Sequence, residues 1–169
     1  MKFNCIKNIS KATCLVLSLM IFGVPTVQAA KDREPVPFDS FTSNGCGFPI
    51  DVDVVTNKEY QDVKTLADGT TITKITGNLV LSFTNQITGF TITRELSGPT
   101  TKTVHPNGTG TFVGGGNNFF TFGPNSQANT GEPGLVFTSG LVIVEFDANT
   151  ATGFSLHGMQ VNGCELLNS

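Results

Sequence analysis

The chain has no tryptophan and one tyrosine, Tyr60, against fourteen phenylalanines. Sugar-binding platforms use aromatic faces with a polar edge that tolerates water. Phe has no such edge, so this aromatic content points inward, to a core or to the lining of an apolar cavity. Histidine is equally scarce: His105 and His157 are the only two. Two isolated imidazoles without a ligand cluster argue against zinc. No serine lies in a G-x-S-x-G elbow. The glycines around Gly108–Gly110 and Gly114–Gly116 are followed by Phe119-Phe120-Thr121-Phe122, which has strand character. A phosphate cradle needs a helix N-terminus there, so these glycines belong to turns. Long apolar runs are absent too. The run from Cys14 to Val24 is about half of the roughly 20 residues a spanning helix requires.

That short run has a role when its flanks are read with it. Lys2, Lys7 and Lys11 give a basic start, Pro25 ends the apolar stretch, and Val27-Gln28-Ala29 offers small residues where a signal peptidase reads them. Residues 1–29 are expected to form a secretory signal peptide with a helical core, cleaved after Ala29, with Ala30 the near alternative. The protein is then secreted, periplasmic or attached to the cell envelope, with no transmembrane segment after signal removal. Loss of three lysines from ten basic residues leaves seven against thirteen acidic ones, a net charge of −6. No basic cluster remains, which argues against nucleic acid or anionic membranes as partners.

Cleavage also removes Cys5 and Cys14, leaving Cys46 and Cys164 near the two ends of the remaining chain. Lone thiols in an oxidising compartment pair, and a disulfide between these two is expected. Without a flanking C-x-x-C arrangement its role is structural.

Residues 30–44 carry Pro35 and Pro37 among charged residues and are expected to form a flexible or extended arm. From residue 45 to 169 the pattern has period two. Ile50-Asp51-Val52-Asp53-Val54 alternates; Leu79, Leu81 and Phe83 share a face ahead of an Asn85–Gly89 turn into Phe90-Thr91-Ile92. Thr109–Val113 is expected to turn at Gly114–Asn118 and return through Phe119–Phe122. Leu135–Thr138, Leu141–Phe146 and a segment from Phe154 to Met159 follow. Thr, Val, Ile and Phe dominate, and no window beyond the signal sustains a helical period. The fold expected is one all-β domain, a β-sandwich or a closed antiparallel β-barrel of short strands. Phe83–Phe90 and Phe146–Phe154 echo each other as Phe, a polar turn and Thr-Gly-Phe, which ordinary hairpin chemistry explains.

Few residues can carry chemistry. His157 is the better candidate for a general base, without a partner that the sequence supplies; His105, before Pro106, reads as a surface turn residue. Asp51 and Asp53, on one strand face, are weak metal candidates, as are Asp147 and Asn149, and no dense carboxylate loop supports them. No cofactor is implied. The leading expectation is a non-enzymatic domain with a binding or structural role. The alternative is a carrier of an apolar small molecule, or an isomerase-like enzyme, with its site inside a barrel. A Phe-lined pocket reaching His157 within a closed barrel would favour that alternative.

Cys46-Gly47-Phe48-Pro49-Ile50, the Asn85–Gly89 turn, Ser97-Gly98-Pro99, and Phe146-Asp147 through His157-Gly158 to Cys164 resemble a group of uncharacterised secreted bacterial proteins. The resemblance spans most of residues 46–166 and implies export and a β fold, with no activity attached. The chain departs from that group after Phe146, where residues 147–153 read as a longer turn.

Overall fold

A computed structural model describes residues 33–169, so the expected signal segment and its cleavage point at Ala29 lie outside the described residues. Two short strands, β1 (Glu34–Pro35) and β2 (Phe41–Ser43), come first. They are followed by β3 (Ile50–Asn57), β4 (Tyr60–Thr65), β5 (Thr71–Thr76), β6 (Asn78–Asn85), β7 (Thr91–Ser97), β8 (Thr100–Val104), β9 (Thr109–Gly114) and β10 (Asn117–Thr121). Helix α1 (Pro124–Thr130) precedes the two longest strands, β11 (Leu135–Asp147) and β12 (Thr150–Asn162), and α2 (Gly163–Leu167) ends the chain. The domain is all-β, in two antiparallel sheets. One runs β1-β4-β5-β8-β9-β11-β10 with β12 also on β11, and the other runs β2-β3-β6-β7. Both sheets are open, so the barrel is excluded. No helix among the described residues is long and apolar enough to cross a membrane.

The division into two sheets follows from a row of glycines. β3 and β4 lie in different sheets, yet from Thr56 onward they pair with β6 and β5 in one continuous register: Asn57 faces Leu79, and Tyr60 faces Thr76. β5–β6 pairs with β7–β8 in the same way, through Asn78 with Ser97 and Ile75 with Thr100, which sets Gly77 opposite Gly98. β9 and β10 pair with β11 through Gly114–Val142 and Asn117–Ser139, and the Gly140 N–H donates to the Gly116 carbonyl at 2.9 Å. Gly140 in turn pairs with Gly158 of β12. Residues 77, 98, 116, 140 and 158 therefore form one line across successive strands. A Cβ on Gly98 would lie 1.8 Å from the Gly115 carbonyl oxygen, and one on Gly140 would lie 2.4 Å from that of His157. Only glycine permits that approach, and the chain changes sheets there, at Gly77 and again at Gly98.

This row corrects two expectations. The Gly114–Asn118 segment is not a hairpin turn. β9 and β10 run in the same direction as each other, one after the other and both antiparallel to β11, and the glycines bend the strand without reversing it. Leu135–Thr138 and Leu141–Phe146 are likewise parts of a single strand, β11, that bends at Gly140 (φ 127°). The turn after Phe146 is also shorter than expected. Asp147 pairs with Thr150, leaving Ala148 (φ 52°) and Asn149 at the tip. Thr152 is taken up as a bulge, because Glu145 faces Gly153 while Phe146 faces Ala151. The Asn85–Gly89 hairpin, by contrast, forms as its sequence implies, with Leu79, Leu81 and Phe83 buried together.

The segment expected as an arm is docked along sheet edges. Pro35 sits in β1, opposite Tyr60, at an edge where its missing N–H costs no ladder bond. The Val36 N–H donates to the Glu59 carbonyl at 3.0 Å, and Asn57 Nδ2 donates to the Val36 carbonyl at 2.8 Å.

The core occupies both faces of β11. Leu135 and Phe137 pack with Ile50, Val52, Leu81, Phe83 and Leu167, whereas the alternate position, Val136, packs with Phe122, Val142, Val144 and Ala151. Phe83 meets Phe119 and Phe137 edge-on, with ring centroids 5.5 and 4.9 Å apart. Cys46 and Cys164 are disulfide-bonded at the border of the first cluster, with Cα atoms 5.3 Å apart across 118 residues of sequence. Beside the bond, the buried Asn85 side chain donates to the Leu167 carbonyl at 3.0 Å, and its Oδ1 accepts from the N–H of Ile87 at 2.8 Å. One residue thus fastens the β6–β7 turn to α2.

Both helices are invisible to periodicity because they are short. Their ends are legible: Pro124 at the start of α1 and Gly131 in the left-handed region beyond it. At α2, Asn162 Oδ1 accepts from the N–H groups of Cys164 and Glu165.

Candidate functional site

Alternation along β9 and β10 sends Phe112 and Phe120 to the same side, and the bend between the strands brings their rings to 5.3 Å, edge to face. Phe120 stacks on Phe122 at 6.0 Å, and Phe154 of β12 stands edge-on to both, at 5.9 and 5.8 Å. Over this cluster lies a cleft of about 380 Å³, lined by Phe112, Phe120, Phe122, Val144, Phe146 and, at its margin, Lys102. Its polar lining comes from Thr121, Ser126 and Asn149. The volume falls in the usual range of small-molecule pockets.

Lys102 is the one ionisable residue in that lining. It sits mid-strand on β8, opposite Phe112 on β9, and its Nζ stands 5.5 Å from the centroid of the Phe146 ring. That contact is a cation–π interaction, and among the described residues no carboxylate neutralises the ammonium. Ser126, at the other side, is buried, and its hydroxyl oxygen accepts from the Ala151 N–H at 2.9 Å. The cleft therefore offers an apolar floor with one positive charge at its rim.

The sequence-derived candidates are placed elsewhere. His157 is exposed on β12 opposite Leu141, and it lines neither this cleft nor the other cavities described below. The cleft does not lie inside a barrel. Asp51 and Asp53 share the outer face of β3. Asp51 accepts from Thr42 Oγ1 at 2.8 Å and from Gln86 Nε2 at 2.6 Å, while Asp53 is exposed. Asp51 thus serves as a cross-strand acceptor. Among the described residues no group of three or more His, Cys, Asp or Glu side chains is placed to hold a metal ion. Asp147 ends β11 and Asn149 lies at the tip of the tight β11–β12 turn, and of the two only Asn149 borders the Phe-lined cleft.

His105 belongs to a cluster that sequence reasoning missed. Thr70, buried between two neighbouring turns, has its Oγ1 3.1 Å from Asp68 Oδ2 and 3.3 Å from His105 Nδ1. Carboxylate, hydroxyl and imidazole are the members of a hydrolytic triad, but their roles here differ. A nucleophilic hydroxyl gives its proton to the imidazole, whereas Thr70 donates to Asp68 and is shielded from solvent. The cluster ties the β4–β5 and β8–β9 turns together. The Thr70 N–H and hydroxyl, with His105 adding a smaller attraction, hold the exposed Asp68 carboxyl below its ordinary value. Thr70 and His105 lie 35 residues apart, and only strand pairing could have joined them.

Two further cavities flank the glycine row. One, of about 350 Å³, opens between β7 and β11–β12, where Arg94 lies 5.3 Å over the Phe137 ring beside the exposed Met159 and Val161. The second, of about 180 Å³, lies where Val36 and Phe38 cross the bend, and it contains Glu59. No protein family, curated protein or solved structure matches the chain.

Proposed function

We propose that the protein is an exported, non-catalytic binding domain that holds an apolar small molecule bearing an acidic group in the Phe-lined cleft. The carrying observation is Lys102: an unneutralised ammonium at the rim of a cleft whose floor is phenylalanine and valine. Phe gives area for an acyl or aryl body and no hydrogen bond to orient it, so the lysine supplies the orientation. Export is supported by the basic start and short apolar run of residues 1–29, and by the disulfide, which suits an oxidising compartment.

The test is displacement of anilinonaphthalene sulfonate, an apolar anion, by decanoate and by decanol. Decanoate is expected to displace the dye from the native protein and to weaken about tenfold, roughly 1.4 kcal/mol, in Lys102→Met. Decanol should be indifferent to that substitution. Failure of decanoate to displace the dye, or equal decanoate affinity in the variant, would overturn the proposal.

A further inference from the structure

We infer that the small cavity at the bend is a second binding site, specific for a compact organic ammonium group, with Glu59 as its counter-ion. The geometry comes from the glycine row. Where the neighbouring strands place glycine on that line, the β3–β4 strand places Glu59, opposite Gly77 in the register of the paired strands. A Cβ on Gly77 would come 2.7 Å from the Glu59 Cα, so the strands are in close contact there and no side chain at 77 fills the space.

The lining is mostly apolar, with Phe38, Ile75, Leu79, Leu96, Phe112 and Phe119; Ser97, Thr100, Asn117 and Asn118 add neutral polar groups, and Glu59 is the one ionisable residue. The Glu59 carboxyl is partly buried and has no hydrogen-bond or ion partner among the described residues. A carboxylate losing water without gaining a donor is an unmet demand that a bound cation satisfies. At about 180 Å³ the cavity has room for roughly six water-sized groups, which suits a short alkyl or aryl amine and excludes a long chain. Val36 and Phe38 roof it, tied down through the Val36 backbone. This site carries the opposite charge to the Lys102 cleft and does not rest on the function proposed for that cleft.

Hexylammonium is the probe, with hexanol and hexanoate as uncharged and oppositely charged controls, followed by the methyl NMR signals of Ile75, Leu79 and Leu96. The expected result is saturable shifts of these methyls with hexylammonium, at least tenfold weaker binding of both controls, and at least a tenfold loss in Glu59→Gln. Glutamine keeps the shape of the side chain, and an unchanged methyl spectrum without ligand verifies its fold. Absence of saturable shifts in the native protein would overturn the inference, as would equal binding by Glu59→Gln or equal binding of hexanol. Decanoate displacement at the Lys102 cleft, measured on the same Glu59→Gln sample, reports separately on that site.

Discussion

Glu59 immediately precedes β4 and Asp68 lies in the turn that follows it, yet the fold treats their carboxyls in opposite ways. Asp68 accepts from the Thr70 N–H at 2.9 Å and from its hydroxyl, which holds it below its ordinary 3.8. Glu59 loses water and gains no donor, which pushes it above its ordinary 4.5. A carboxyl lowered in the folded state stabilises the fold above its unfolded pKa, and that contribution disappears as pH falls through the folded value. A raised carboxyl does the reverse: its contribution is complete below 4.5 and is lost as pH rises through the folded value. Urea midpoints at pH 3 and pH 7 should therefore separate the two. Glu59→Gln should raise the midpoint at pH 7 and leave it nearly unchanged at pH 3, whereas Asp68→Asn should lower it at pH 7 more than at pH 3. The same sign for both variants would contradict these environments. Neither role was legible in the sequence. Asp68-Gly69 reads only as a turn, and Glu59 acquires its apolar neighbours from residues 36–38, 75–79 and 96–119, which only the folded register assembles.

Strands in this chain are longer than their sequence suggests, because glycine at the bend looks like punctuation. Ser139-Gly140-Leu141 and Gly114-Gly115-Gly116 carry the composition of turns. What distinguishes a bend from a turn is the partner strand: Gly140 faces Gly158 and bonds Gly116, so the backbones converge there without reversing. Gly140 has φ 127°, and a Cβ would also come 2.9 Å from the Gly158 Cα. Gly89, in the β6–β7 turn, has φ 74° but open space around it. Gly89→Ala should cost about 1 kcal/mol, from backbone conformation alone. Gly140→Ala should cost at least about 3 kcal/mol, because backbone must move as well. Denaturant unfolding of the two variants provides the comparison, and equal losses would remove the steric account of the glycine row.

For the whole molecule, the Cys46–Cys164 bond closes nearly the entire described domain. It ties the segment before β3 to α2, on the border of the larger core cluster that includes Leu167. In the chain-entropy model a loop of this length is worth roughly 4–5 kcal/mol, and losses on removal are commonly about 2–5 kcal/mol. The double variant Cys46→Ala/Cys164→Ala should lose stability in that range by urea titration, while keeping its β-sheet circular dichroism at low denaturant. A loss below about 1 kcal/mol would mean that packing around Leu167 already holds the ends together.

Composition and alternation pointed to the all-β class, to a core that includes phenylalanine, to the Leu79–Phe83 buried face and to the Cys46–Cys164 bond, all of which the structure contains. The β class and the buried face follow from a local rule, the alternation of side chains along a strand. The tertiary structure decided what depends on neighbours distant in sequence. It decided between the two expected architectures, giving two open sheets and no closed barrel, and it put one long strand where two were expected. It also moved the candidate sites from His157 and the aspartates to Lys102 and Glu59. The physical reason is register. Glycines 77, 98, 116, 140 and 158 mean little one at a time, and become a line only when antiparallel pairing sets them side by side.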